Sequence, residues 1–298
     1  MKKILLIVFF VLLSVIIFLE GAKIKSLYAK IENLKDEITK LKTKIIELKK
    51  ENNLLKTTKS EIEDYYRNLH PIQKIQKPIK KSKKPKLVII IDDVAFNYEA
   101  KMIKQIPLHI TPSFFPPDKR HPNTFKYAKE FTHYMVHLPL EAINYPTPEN
   151  NTLLTSMSKE EILKKITHLK KLFPKLKFVN NHTGSKFTNS LVAMKKLFFA
   201  LKINHLGFVD SLTISTTKSK LANKIYHIPL YMRDLFLDNN SNPAYIKKQL
   251  KKAVKIAKKY GYCIAIGHPH KTTLTTIKNS LDLLKDVKVV YIDELNSN

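Results

Sequence analysis

Cysteine, glycine and arginine are scarce in this chain, and each shortage excludes something. Of 298 residues one is cysteine, Cys263. A lone thiol rules out an intrachain disulfide and any cysteine-based zinc finger, so a metal site would have to draw on His, Asp and Glu. Glycine occurs five times. Gly184 and Gly267 fall inside polar motifs, where a missing side chain lets backbone approach a ligand. Arginine supplies only three of 53 basic residues, Arg67, Arg120 and Arg233, although the net charge is +28. Proteins that read bases and phosphates lean on the planar guanidinium fork. Lysine spread along the whole chain instead predicts a solvated surface and no nucleic-acid partner. Apolar residues are plentiful: 44% of the chain is hydrophobic, which excludes wholesale disorder and supplies a sizeable core.

Lys2 and Lys3 precede an apolar run over residues 4–19, broken only by Ser14. The run is shorter than the roughly 20 residues of a full span, and it suits a signal-peptide core equally well. A cleavage site needs small residues at two positions one residue apart. Neither Gly21 nor Ala22 has a small residue two before it. The expectation is therefore an uncleaved signal anchor over residues 1–22, with a cleaved signal as the alternative. The lysines then stay in the cytoplasm. This predicts a bacterial inner-membrane protein, single-pass through residues 4–19, with its C-terminal domain in the periplasm.

Residues 23–58 read as a coiled coil. Ile24, Ile31, Ile38 and Ile45 fall seven apart, as do Leu27, Leu34, Leu41, Leu48 and Leu55. Isoleucine at a and leucine at d favour a parallel two-stranded pair, and Asn52 at the next a position fixes register. Identical heptads predict a homodimer; a helix folding back on the globular domain is the alternative. Residues 59–85 form a linker rich in lysine and proline. The stretch from residue 71 to its junction with the next segment at Lys86 carries seven lysines, three prolines and no acid, so it is expected to be extended and self-repelling.

From residue 86 to 298 short apolar runs alternate with lysine-rich amphipathic stretches. The runs lie at residues 87–91, 110–115, 134–136, 178–179, 206–209, 226–230, 262–266 and 287–292. Stretches such as 159–172, 190–201 and 245–260 separate them. Continuous apolar strands alternating with helices imply a parallel sheet buried on both faces, a closed α/β barrel being a slightly better fit than an open sheet. Active sites of such folds lie at the C-terminal strand ends. Those ends carry Asp92-Asp93, His137 with Glu141, Asn181-His182 with Ser185, Asp210, Arg233-Asp234, and His268 with His270. Each alone is weak, since an Asp pair is more often a cap and a lone His more often structural. Together, two carboxylates and several imidazoles at one mouth form the donor set of a catalytic zinc or another divalent metal.

The ordered motifs IIIDD, HLPLE, NNHTGSKFT, FVDS, RDLFLDN and AIGHPH resemble those of the divergent polysaccharide deacetylases, relatives of the carbohydrate esterases. The resemblance runs from about residue 86 to 295. It implies a distorted (β/α)7 barrel and a metal-dependent hydrolase that removes acyl groups, above all N-acetyl, from a cell-envelope carbohydrate of the polysaccharide or peptidoglycan type. It implies Asp92 as general base, Asp93 as metal ligand, His268 as general acid with His270 as alternative, and Arg233 as the residue that orients the base. The family's second motif has two histidines four apart. Here His137 is partnered by Glu141, and His182 by Lys186. The expected ligands are Asp93, His137 and His182, with Glu141 in reserve. Asn181, Ser185, Asp210 and Asp234 are further site candidates. The missing histidine leaves a second expectation, a weak or inactive glycan-binding scaffold.

Overall fold

A computed structural model describes residues 30–47, 84–144 and 148–295. The chain divides into two units, Met1–Ile75 and Gln76–Asn298. In the first, residues 30–47 form a helix, α1, and Ile31, Leu34, Ile38, Leu41 and Ile45 are all exposed on it. Ile24, Leu27, Leu48, Asn52, Leu55 and the linker up to residue 83 lie outside the described residues. So does the apolar run at 4–19. The expected single-pass placement in an inner membrane, with a periplasmic head, is corrected here: no helix among the described residues is long and apolar enough to cross a membrane.

The second unit runs β1 (Lys86–Val94), α2 (Asn97–Lys104), β2 (Ile110–Phe114), α3 (Thr124–Ala128), β3 (Met135–Leu140), α4 (Lys159–Leu172), β4 (Phe178–Thr183), α5 (Ser185–Asn189), α6 (Leu191–Ile203), β5 (Gly207–Asp210), α7 (Ser219–Tyr226), β6 (Leu230–Met232), β7 (Leu235–Phe236), α8 (Pro243–Tyr260), β8 (Tyr262–Gly267), α9 (Lys271–Lys278) and β9 (Lys288–Val289). Local signals set the helix ends. Ser158 caps α4, its hydroxyl accepting from Glu161 N–H while Glu161 returns to Ser158 N–H, and α8 opens on Asn242-Pro243 and closes on Gly261 at φ 87°.

All strand pairs are parallel, in the order β6-β5-β4-β3-β2-β1-β8-β7, with β9 beside β1. The two ends of this path, β6 and β7, are separated by only Arg233 and Asp234 in the chain. Arg233 N–H donates to Asp210 C=O on one side, and Asp234 N–H to Ile264 C=O on the other. One bent strand thus changes partner at this step. Counted so, the sheet is a curled half-barrel of seven principal strands, consistent with a (β/α)7 barrel but joined across this gap by backbone rather than by a ladder.

Alternation along the strands makes two cores. Leu87, Ile89 and Ile91 of β1 pack outward against the helices with Val136, Val179 and Phe208. Val88 and Ile90 face the interior with Met135, Phe178, Val209, Ile264 and Ile266. Both faces are covered, which is why the strands read as unbroken apolar runs. Two expected strands are corrected. Tyr226 ends α7 and His227 caps it at φ 49°, so the strand begins only at Leu230. Of residues 287–292 only Lys288–Val289 pairs, and a short 3-10 turn follows.

Three of the rare glycines serve packing, while Gly261 serves the left-handed turn that ends α8. A Cβ on Gly184 would meet Leu140 Cβ at 2.8 Å, and one on Gly267 would meet Thr273 at 3.3 Å. The expected close approach is therefore to protein atoms. Gly207 is the tightest case, since a Cβ there would lie 2.2 Å from the Phe178 ring. Gly207→Ala is expected to displace that ring and destabilise the domain by about 1–3 kcal/mol, read as a lower urea midpoint; an unchanged midpoint would show that the interior has slack.

Candidate active site

The parity that builds the interior also delivers the site. On β1 the interior positions Val88 and Ile90 lead to Asp92. On β3 Met135 leads to His137, on β4 Phe178 leads to Asn180 and His182, and on β8 Ile264 and Ile266 lead to His268. Asp93 is out of phase with this pattern. It enters the mouth because β1 breaks there: Asp93 adopts φ 57°, and the β1–β2 register shifts between Ile91 and Val94. Asp tolerates the left-handed region better than most residues. Thr183, directly after His182, also has positive φ (50°), a costly state for a β-branched residue. Two strained turns therefore flank the cluster, as happens where geometry is imposed by a functional site.

Asp93, His137 and His182 converge. His137 Nε2 lies 3.2 Å and His182 Nδ1 3.1 Å from the same oxygen, Asp93 Oδ1. One ligand atom from each lies within 4.8 Å of the others. Buried His182 Nε2 has no hydrogen-bond partner. One carboxylate and two imidazoles are the three protein ligands of an open catalytic zinc site, so the donor set fits a divalent ion. Phe115 packs among the imidazoles, with ring centroids 5.6 Å from His137 and 4.9 Å from His182.

The two aspartates differ. Asp93 is partly exposed (34%) and Asp92 almost fully enclosed (2%). Burial pushes the Asp92 carboxyl above the usual range, and Asp93 adds to this, while His137 and Asn180 pull it back. Burial also opposes charge on Asp93, but hydrogen bonds and charge from His137 and His182 outweigh it and hold that carboxyl well below the usual range. His137 is raised: burial works against its charging, and Asp92 and Asp93 overcome it. One carboxylate is thus suited to hold a cation and its neighbour to carry a proton.

Supporting groups fix both ends of this arrangement. Asn180 Nδ2 donates to both oxygens of Asp92, at 2.8 and 2.9 Å, and Asn180 Oδ1 accepts from Ser113 Oγ at 2.6 Å. Asp238 Oδ1 lies 2.9 Å from His268 Nδ1, and Asp238 Oδ2 accepts from His268 N–H and Thr273 Oγ. Burial lowers the His268 pKa, but bonding and charge from Asp238, with further pull from Asp93 and Asp92, raise it to about 9. Asn180 and Asp238 were not singled out in the sequence, although both lie in quoted motifs. Interior parity two residues before His182 was the available signal for Asn180. Nothing local marked Asp238.

The other expected residues fall elsewhere. Arg233 does not bond Asp92; it donates to the Ser211 and Leu212 carbonyls and lies over the Phe236 ring. Among the described hydrogen bonds it is Asn180 that holds both oxygens of Asp92. Glu141 is outside the trio, engaged by Lys186 at 2.6 Å and by Thr155. Asn181 ties its loop to Thr183 and Ser211, and Ser185 accepts from Ile143 N–H. Asp210 is buried against Thr217, Ser219 and Leu212 N–H, and Asp234 accepts from Ile264 N–H. His270 caps α9 from an exposed position, its ring 6.0 Å from that of His268. A second trio, Asp118, His121 and Glu149, gathers nearby in the chain, but the Arg120 guanidinium contacts both acids and supplies the positive charge.

A parallel half-barrel with carboxylates and imidazoles at its C-terminal mouth is the architecture of a polysaccharide deacetylase. The chain belongs to the divergent polysaccharide deacetylase family, whose profile matches residues 89–296. The uncharacterised protein YibQ of Escherichia coli (strain K12) is 32% identical over 213 residues, covering 70% of this chain and 67% of that one. An uncharacterised protein of Haemophilus influenzae is 30% identical over 217 residues, covering 72% and 77%. The crystal structure of uncharacterised protein ATU2773 from Agrobacterium tumefaciens C58 superposes with a TM-score of 0.64 at 18% identity, covering 76% of this chain and 94% of that one. At that identity the likeness is one of fold.

Asp238→Asn is expected to bring the His268 pKa down from about 9 towards its ordinary value, measured by NMR titration of the ring. Because the folded-state pKa is raised, the stabilisation from charged His268 is complete below about 6.5 and fades as pH rises through about 9. The variant should therefore lose stability in acid and little above that window. A His268 that still titrates near 9 in Asp238→Asn would disprove the pairing.

Proposed function

We propose that this chain is a hydrolase dependent on a divalent metal, zinc by preference, which removes N-acetyl groups from a glycan of the polysaccharide or peptidoglycan type. One observation carries the reading. Asp93, His137 and His182 converge within 4.8 Å beside a second, enclosed carboxylate. When bound there, the ion supplies Lewis acidity toward the acyl oxygen and the attacking water. Asp93, His137 and His182 would hold it. Asp92, oriented by Asn180, accepts a proton as water attacks the acyl carbon. His268, kept charged by Asp238, donates a proton to the amine as the C–N bond breaks. The products are acetate and the free amino sugar.

Asp92→Asn should lower turnover of an N-acetylated glycan by about 100- to 10,000-fold while zinc remains bound. Single alanine changes at Asp93, His137 or His182 should each deplete the zinc. Full zinc in those three variants would remove the ligand assignment, and zinc loss in Asp92→Asn would move that residue into the ligand set. A second reading, an inactive glycan-binding scaffold, is favoured by Glu141 and Lys186, the two positions where the family's second histidine is expected, which bond each other instead. Zinc content of the purified chain, followed by a deacetylase assay, separates the two.

We also infer that α1 pairs with α1 of a second copy. A lone helix of this length is marginal in water, and its isoleucine and leucine seam is exposed along the described turns. Leu34→Lys with Ile38→Lys is expected to shift the sedimenting species from dimer to monomer; an unchanged sedimentation coefficient would refute the pairing.

A further inference from the structure

The loop that follows the aspartate pair carries two aromatic rings with no evident structural task. Phe96 is 46% exposed and Tyr98 60%. Among the described residues the only other exposed aromatic is Tyr260, which ends α8 before β8, at the opposite end of the strands. The two rings lie within 10° of parallel, stacked with their centroids 5.9 Å apart, and together form one exposed aromatic shelf. The shelf is near the site by chain length alone. Phe96 is three residues beyond Asp93, so their Cα atoms lie at most about 11 Å apart.

The shelf is also built. Phe96 occupies the N-cap of α2, a position that favours small polar side chains, and its own side chain caps nothing. Glu99 does that work from a buried position. Its Oε2 accepts from Ala95 N–H at 2.8 Å and Phe96 N–H at 2.9 Å, and its Oε1 accepts from the Tyr98 hydroxyl at 3.2 Å. One carboxylate thereby fixes the turn under Phe96 and the tip of Tyr98. The stacked pair stays about half open to solvent, at the cost of leaving large apolar side chains exposed.

We propose that Phe96 and Tyr98 form a stacking subsite for a sugar unit next to the one being deacylated. This rests on the glycan reading above and names the substrate: a chain of β-linked pyranoses with equatorial substituents, of the N-acetylglucosamine type. Such sugars present a face of C–H groups, complementary to the electron-rich face of an aromatic ring. Neither ring carries charge, in keeping with a neutral ligand. The subsite sets where the chain sits, and Asp92 and His268 act on the unit at the mouth.

The test uses the full chain loaded with zinc and chitotetraose as probe. Binding is measured by calorimetry, alongside deacetylation kinetics. Phe96→Ala with Tyr98→Ala should weaken chitotetraose binding roughly tenfold, with the kinetic loss in KM rather than kcat. Tyr98→Phe should restore affinity next to Phe96, because the hydroxyl bonds only Glu99. Zinc content and thermal midpoint of each variant establish that the fold is kept. Unchanged chitotetraose affinity in the folded double variant overturns the proposal, as does a loss confined to kcat, or wild-type protein that does not bind chitotetraose. Should the wild type bind without turnover, the hydrolase reading falls, and loss of that binding in the double variant still upholds the subsite.

Discussion

A β-strand presents consecutive side chains to opposite faces, so two adjacent aspartates cannot both look into one cavity from an unbroken strand. The turn at Asp93, with φ 57°, removes this constraint. Asp92 keeps the interior phase of β1, and Asp93 swings out of phase to meet the histidines of β3 and β4. The rest of the site is an answer to that break. The enclosed carboxylate needs a donor, which Asn180 provides, and the more open one needs positive partners, which His137 and His182 provide.

The site is organised as groups supported across neighbouring strands, its buried acids answered by partners on other elements. Asn180 of β4 meets Asp92 of β1, and Asp238 beyond β7 meets His268 beyond β8. Such cross-strand support stiffens the geometry that proton transfer requires, and it places opposite proton affinities a short way apart. The bent strand at Arg233–Asp234 has a matching architectural role. By handing its backbone bonds from β5 to β8 it brings Asp238 to the edge of β8. The backbone of Arg233 and Asp234 is thus a joint of the barrel.

Much of the fold was legible because helices and strands here are strongly patterned. The helix expected at residues 159–172 is α4 without change, and the runs at 87–91 and 262–266 are strands buried on both faces. The misread run at 226–230 shows the limit: its apolar residues belong partly to a helix end, and a short apolar run has no period by which to tell helix from strand. The aspartates and histidines of the site were visible because they stand at strand ends. Asn180 was passed over for Asn181, its neighbour, since without strand phase nothing says which of the two faces inward.

The amino-acid order by itself determined the residue types at each strand end, the heptad spacing before the linker, and the parallel alternation of strand and helix, because these depend on local periodicity and turn chemistry. Only the tertiary structure decided which polar groups meet. That Glu141 turns to Lys186 and not to the trio, that Arg233 bonds carbonyls and not Asp92, and that Asp238 holds His268 all follow from strand order and phase. Those contacts join residues 22 to 45 positions apart, and no local pattern encodes the curvature of the sheet that closes the distance.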